Sequence, residues 1–217
     1  MSLEIHALIF DLDGVIADTN ALHYQSWAQL AQEEQIPFGP SQHDRMLGLP
    51  RHKCLEIFLD GRSLSEAGQM DWMARKNRYF LEQLAAFTAQ DRAPGVAELI
   101  REARAAGLKV ALGSSSQNAR LVLTQLALID EFDVIGDGLT VKNTKPAPDI
   151  FLWAAGQLGA SPAHTVVFED SEAGVAAGRS GGFWVVGIGD ALVQAAHLVV
   201  PTLAEVTLPV LAAGLGG

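Results

Sequence analysis

The sequence predicts an α/β protein: a doubly wound parallel sheet with a helical cap inserted after the first strand. Three observations predict it. Apolar, β-branched runs recur at 5–10, 108–113, 132–135, 165–168, 183–188 and 198–200, with helical patterns between most of them. Between the first run and the second the chain reads as nearly all helix. Residues with chemistry fall at the ends of the runs, where open parallel sheets gather their ligands.

The first run is aliphatic except at His6, as a strand buried on both faces requires. Residues 21–34 then carry Leu22, Trp27, Leu30 and Ala31 at helical spacing. Further helices are expected at 42–47, 53–59 and 66–86, punctuated by Pro37, Gly39-Pro40, Pro50 and Gly61. This block, residues 18–90, is expected to form the cap; residues 1–17 and 91–217 form the core. A lid over the end of the first strand would exclude water and complete a site on closing. In the core, Pro94-Gly95 opens a helix over 96–106 that Gly107 closes, and a second helix spans 118–127. Pro146-Ala147-Pro148-Asp149 opens a third, which Gly159 stops. The glycine-rich end, 214–217, reads as frayed.

Of the 217 residues, 49% are hydrophobic and 18% charged, enough for a sizeable core. Lys and Arg number 15 against 25 Asp and Glu, a net charge of −10, which argues against sequence-independent nucleic-acid or anionic-membrane binding. A small phosphate ligand needs only a few local cations. The single cysteine, Cys54, excludes an intrachain disulfide and a cysteine zinc cluster. No run approaches the ~20 apolar residues of a membrane span. Met1-Ser2-Leu3-Glu4 lacks the basic start and apolar core of a signal peptide, so a cytoplasmic location is expected; a monomer is expected as well.

Asp11-Leu12-Asp13-Gly14 ends the first strand. Two acids so close cost electrostatic energy unless a cation or shared proton relieves them; the alternative is an Asp-rich turn. Gly113-Ser114-Ser115-Ser116 ends the second strand at a helix start, which makes either an anion site or ordinary capping serines. Lys145-Pro146 precedes a helix, with its ammonium aimed at a phosphate, at an acid or at solvent. Phe168-Glu169-Asp170-Ser171 ends the 165–168 strand with two more acids and no local cation. Mg²⁺ favours such oxygen ligands. Each of the last three is ordinary alone, and their order is the signal.

In that order, with a helical block between the first two core strands, the chain resembles the haloacid dehalogenase-like superfamily of phosphoryl-transfer enzymes. The resemblance spans the whole chain and implies a Rossmann-like core. Within the superfamily the chain is similar to the β-phosphoglucomutase family. The matching segments are Asp11-Leu12-Asp13-Gly14-Val15-Ile16-Ala17-Asp18-Thr19, His23, Trp27, Leu47-Gly48-Leu49-Pro50-Arg51 and Arg75-Lys76-Asn77. Ser114-Ser115-Ser116-Gln117-Asn118, Lys145-Pro146-Ala147-Pro148-Asp149-Ile150-Phe151 and Glu169-Asp170-Ser171-Glu172-Ala173-Gly174 complete them.

Spacing does not say which acid attacks; the resemblance implies Asp11 as nucleophile and Asp13 as general acid/base. The metal-bound carboxylate is expected to stay ionised while the other holds the proton. The resemblance also implies Mg²⁺ held by the Asp11 carboxylate, the Asp13 backbone carbonyl and Asp170, with Glu169 coordinating or supporting it. Ser114 and Lys145 would bind the transferring phosphoryl oxygens. Arg51, whose planar fork suits two oxygens, would take a second phosphate, helped by Ser116 and Asn118. His23, Trp27, Gly48, Leu49 and Lys76 would line the cleft. The implied substrate is a small phosphorylated sugar. The implied activity interconverts β-D-glucose 1-phosphate and glucose 6-phosphate through an aspartyl phosphate and β-glucose 1,6-bisphosphate. The alternative is a Mg²⁺-dependent sugar-phosphate phosphatase. Departures from the pattern are Gln117 where relatives carry lysine, Pro50 where serine is usual, and a poor match over 136–144.

Overall fold

The computed structural model describes residues 4–189 and 192–216. Residues 1–3, which carry the expected absence of a signal peptide, and Gly217 of the glycine-rich end lie outside them. Among the described residues six strands form one sheet: β1 (Ala7–Phe10), β2 (Lys109–Gly113), β3 (Val134–Gly136), β4 (Thr165–Glu169), β5 (Trp184–Ile188) and β6 (Leu198–Val200). Their order is β3-β2-β1-β4-β5-β6 and every pairing is parallel. β1 and β4 are buried along their whole length, which is why Ala7–Phe10 and the Val166–Phe168 centre of β4 are unbroken apolar runs.

The register fixes the site before any side chain is considered. Phe10 aligns with Leu112 on one side and Phe168 on the other. The residues that follow, Asp11, Gly113-Ser114 and Glu169-Asp170, therefore emerge side by side. The strand order also reverses at β1, where doubly wound sheets open a crevice.

Between β1 and β2 lie α1 (Asn20–Glu34), α2 (Pro40–Asp44), α3 (Arg51–Leu59) and α4 (Glu66–Leu84). They share an apolar cluster built on Trp27, Leu30, Leu55, Phe58 and Tyr79, whereas Leu22, Phe80 and Leu84 join the sheet's own cluster. Arg75 ties α4 to α1 through Glu33 and Glu34, both at 2.5 Å. Exposed pairs of this kind contribute only about 0–1 kcal/mol, so the apolar cluster dominates. The chain leaves the sheet at Ala17 and returns at Arg92, and these two residues form an antiparallel bridge. The Ala93 N–H donates to the Ile16 carbonyl at 2.8 Å. The Arg92 guanidinium holds the carbonyls of Leu126 and Ala127 at 2.7 and 2.8 Å.

Helices α5 (Val96–Ala105), α6 (Ala119–Gln125) and α9 (Leu208–Leu215) cover the sheet face that Leu8 and Phe10 join. α7 (Asp149–Leu158) and α8 (Glu172–Ser180) cover the other, where Ile9 packs with Phe151 and Ala177. The two-residue alternation of β1 thus feeds two separate clusters. Helix α8 has no large apolar stripe. It packs through small residues: a Cβ at Gly178 would crowd Val185, and one at Gly174 would overlap the Glu169 carboxylate. The end read as frayed begins inside α9, where Gly214 packs on Leu198. Among the described residues no helix is long and apolar enough to cross a membrane.

Gly95 opens α5 at φ +88°, and a Cβ there would overlap the backbone of Leu203 and Ala204. Backbone cannot rotate aside, so Gly95→Ala should lower stability by about 1–3 kcal/mol. Urea unfolding checks this, and an unchanged midpoint would refute it.

Candidate active site

The level strand ends put Asp11 beside Glu169. At a strand spacing of ~4.8 Å two such carboxylates repel by roughly 3 kcal/mol at an effective dielectric of about 20. Lys145, from the segment before α7, answers this. Its Nζ donates to Asp11 Oδ1 and Glu169 Oε1, each at 2.5 Å. The Lys145 side chain is 0% exposed and that of Asp11 4%. Ser171 closes the other side of Glu169, its N–H and hydroxyl donating to Oε2 at 3.0 and 2.9 Å. Burial pushes the Asp11 carboxyl up to about 8, against the pull of Lys145 and with Glu169 and Asp13 adding to the rise. Burial alone would lower Lys145, but the facing carboxylates raise it. Burial, then the charges of Glu169 and Asp11, holds Asp170 well above the usual carboxylate range.

These acids are short of positive charge. Asp11, Glu169 and Asp170 offer oxygens that all lie within 4.8 Å of one another. Among the described residues Asp11 Oδ2 and Asp170 Oδ1 receive no donor, while Asn20 Nδ2 donates to Asp170 Oδ2 at 2.7 Å. Gly14, at φ +77°, makes room: a Cβ there would overlap the Asp170 carboxylate and the Asn20 amide. A set of hard carboxylate oxygens fits a hard divalent cation such as Mg²⁺. Such a charge would bring Asp11 and Asp170 back down.

Asp13 has different neighbours. Thr19 Oγ1 donates to its Oδ1 at 2.5 Å, and His23 Nε2 lies 3.4 Å from the same oxygen. His23 Nδ1 lies 2.5 Å from Lys76 Nζ. An ammonium only donates, so Nδ1 accepts and Nε2 carries the hydrogen that faces Asp13. Burial lowers the His23 pKa, with Lys76 adding to the effect. Burial would raise Asp13, but His23 and Thr19 outweigh it and hold the carboxyl below its usual value. Without the cation Asp13 is the more acidic of the two; the order expected from the sequence, with Asp11 ionised, is one that a bound cation would impose.

The cap wall is cationic. Lys76 is 2% exposed, lies 5.6 Å from the Trp27 ring centre and pairs with no carboxylate among the described residues. Burial lowers its pKa to about 7. Arg51 is the first residue of α3, and its Nη2 donates to Asn77 Oδ1 at 2.7 Å. It too meets no carboxylate among the described residues, and burial lowers its pKa. Asn118 Nδ2 donates to the same Asn77 oxygen at 2.9 Å.

One cleft of about 630 Å³, open mouth included, is lined by Asp11 and Asp13 from the core and by His23, Trp27, Gly48, Leu49, Arg51 and Lys76 from the helical block. Ser116 lines it from the loop after β2, with its neighbours Ser115 and Gln117. Ser114, Lys145 and Glu169 are buried outside the lining; Asn118 and Asp170 also fall outside it. Trp27 both lines the cleft and packs on Phe58, ring centres 4.9 Å apart. The serine loop is less open than its sequence implies. The N–H groups of Ser114, Ser116 and Asn118 bond to Gly136 O, Ser114 Oγ and Ser116 Oγ. The N–H groups of Ser115 and Gln117 have no acceptor among the described residues. Ser115 Oγ donates to the Gly48 carbonyl at 2.8 Å, docking the helical block on the core.

Sequence reasoning missed Asn20, Thr19, Ser115, His43 and Asn77. Asn20 and Thr19 begin α1 directly over the acids, so their position just after Asp11-Leu12-Asp13-Gly14 was the available signal. His43 is 8% exposed among Tyr24 and Phe38, and burial lowers it to about 4. Cys54 also lines the cleft, but burial pushes its thiol up to about 12, which leaves it inert.

Comparison with known proteins agrees with this geometry. The haloacid dehalogenase-like hydrolase family profile matches residues 5–182. The β-phosphoglucomutase of Bacillus subtilis is 39% identical over 210 residues, 94% of this chain and 93% of that one. A phosphorylated carbohydrates phosphatase of Thermotoga maritima is 33% identical over 184 residues, 82% of each chain. The crystal structure of a β-phosphoglucomutase from Clostridium difficile superposes with a TM-score of 0.93 at 33% identity, covering 98% of this chain and 97% of that one. The chain is a member of the haloacid dehalogenase-like hydrolase family, an enzyme related to β-phosphoglucomutase.

Proposed function

We propose that this enzyme interconverts β-D-glucose 1-phosphate and glucose 6-phosphate, with β-glucose 1,6-bisphosphate as intermediate. The observation that carries this reading is Arg51, a half-buried guanidinium without a carboxylate partner among the described residues, in the same cleft as Asp11. A phosphatase needs one phosphate site. A second cationic site across the cleft suits a substrate with phosphate at both ends. The B. subtilis and C. difficile relatives support the same activity. The reading also takes the protein as a cytoplasmic monomer acting on a small phosphorylated sugar, with no nucleic-acid or membrane partner.

The chemistry divides among named groups. In the cycle, Asp11 starts phosphorylated and β-glucose 1-phosphate lies with its C6 hydroxyl towards Asp13. Asp13, held at low pKa, accepts the hydroxyl proton as the oxygen takes the phosphoryl group from Asp11. The bisphosphate turns over. Asp11 then attacks the phosphorus on O1, and Asp13 returns its proton to that oxygen as the bond breaks. Arg51, with Ser116 and Asn118, holds whichever phosphate is not reacting. Ser114 and Lys145 steady the transferring group, and Lys145 also fixes Asp11. Mg²⁺ would be held by Asp11 and Asp170, the Asp13 carbonyl and Glu169; when bound it supplies charge neutralisation at the phosphoryl oxygens. The docked helical block excludes water, the competing acceptor.

Asp11→Asn should reduce all phosphoryl transfer by about 10⁴-fold or more, read as loss of the acid-stable, hydroxylamine-labile radiolabelled phosphoenzyme. Arg51→Ala should lower kcat/KM for isomerisation by about 100-fold, the effect of stranding a phosphate without its buried cation, while hydrolysis of acetyl phosphate persists in part. A coupled glucose 6-phosphate assay beside a phosphate-release assay separates the two. Equal losses in both, or phosphate as the only product of the parent protein, would favour the phosphatase.

Lys76 gives a pH prediction. Its pKa near 7 in the free protein must rise beside a phosphorylated sugar. Binding therefore takes up a proton above pH 7 and weakens as pH rises. Calorimetry at pH 8 in buffers of differing ionisation enthalpy should show uptake of about one proton, absent in Lys76→Met.

A further inference from the structure

Asn77 follows Lys76 on α4 but is not among the residues that line the cleft. Its side-chain oxygen nevertheless accepts from Arg51 Nη2 at 2.7 Å and Asn118 Nδ2 at 2.9 Å. The donors come from the two parts of the chain, Arg51 from α3 in the helical block and Asn118 from the start of α6 in the core. Both converge on one neutral oxygen. No other hydrogen bond of the Asn77 side chain occurs among the described residues, so these two contacts account for its orientation. An amide carbonyl is a weak partner for a desolvated guanidinium; a charged acceptor makes a hydrogen bond roughly twice as strong. An anionic oxygen delivered to the same point would displace the amide.

Building on the two-phosphate reading, we infer that Asn77 is a positioning residue that holds the place of a phosphate oxygen. Its carbonyl keeps Arg51 and Asn118 aimed at one point while the cleft is empty, and releases both when the second phosphate arrives. The ligand class follows: a sugar with two phosphates spaced to reach Asp11 and that point together. A monophosphate seated at Asp11 leaves the Asn77 contacts intact. Because the same oxygen joins the helical block to the core, it also keeps the lid docked between turnovers.

Asn77→Asp is nearly isosteric and replaces the transient anion with a fixed one. In an Asp11→Asn background, calorimetry with Mg²⁺ and β-glucose 1,6-bisphosphate should read binding weakened at least tenfold by the added Asn77→Asp, on the order expected for a charge opposed at close range. With Asp11 intact, KM for β-glucose 1-phosphate should rise more than kcat falls, and the loss should exceed that for acetyl phosphate turnover by about tenfold. If the Asp11→Asn protein binds the bisphosphate no better than inorganic phosphate, the two-phosphate reading fails and takes this inference with it. Tight binding that Asn77→Asp leaves unaltered overturns the inference alone. So does an equal loss with acetyl phosphate, the mark of a structural defect. Should Asn77→Asp not fold, Asn77→Ala decides by small-angle scattering. Its ligand-free radius of gyration should exceed the parent's and return to it with bisphosphate; identical ligand-free scattering overturns the inference.

Discussion

A single buried ammonium governs what this site can be. The sheet register forces Asp11 and Glu169 together, and Lys145 is the cation that meets both. Stranding a charge of a buried pair costs about 3–5 kcal/mol, and here one cation serves two acids, so its loss strands both. The arrangement also orients Asp11. With Oδ1 taken by Lys145, only Oδ2 is without a donor among the described residues. The Asp11 carboxylate is thus held at one oxygen and left open at the other. Glu169, pinned by Lys145 and Ser171, serves as the rigid counterpart that makes this possible.

The charge of the cleft is the opposite of what the whole chain suggests on its cap side. The chain carries −10, yet Arg51 and Lys76 face the cleft without carboxylate partners among the described residues. The core wall holds the acids. A substrate carrying phosphate is drawn to the cap by charge and to the core only where cations offset the carboxylates. On the proposed reading this split would give the two walls separate tasks, bond exchange at the core wall and grip of the non-reacting phosphate at the cap wall. Arg51 and Lys76 are both depressed by burial, so each lies in a place where an anion returns more than it would in water.

Much of this was legible in the sequence because it was written in strong signals. Unbroken aliphatic runs gave the strands, and punctuating Pro and Gly gave the helices, with ends that shifted by a few residues: the run at 5–10 became Ala7–Phe10 and the helix at 118–127 became Ala119–Gln125. Helix α8 was passed over because close packing on the sheet selects glycine and alanine there, which leaves no apolar stripe to read. The core acids stood out as charges, whereas Asn20 and Asn77 are neutral amides whose roles come only from what lies opposite them. Lys145 was open between a phosphate and an acid until register placed two acids around it. The relative acidity of Asp11 and Asp13 was beyond reach for the same reason. It depends on the burial of Asp11, which the fold alone sets, and on Thr19 and His23 closing around Asp13.

The paired crossings at Ala17 and Arg92 have a mechanical consequence. Two segments that run side by side and bond to each other make the covalent link of the helical block to the core along a single line, so that with the noncovalent contacts at Ser115 and Asn118 released the block would be held there. A body fixed along one line keeps one easy rotation and loses the others. Swinging open would carry Arg51 and Lys76 away from the acids along an arc, and swinging shut would bring them back along the same arc. The cations would then return in register at every closure, with no search through orientations. A lid that cannot twist would offer a bound ligand the same pair of walls in whichever orientation it lies.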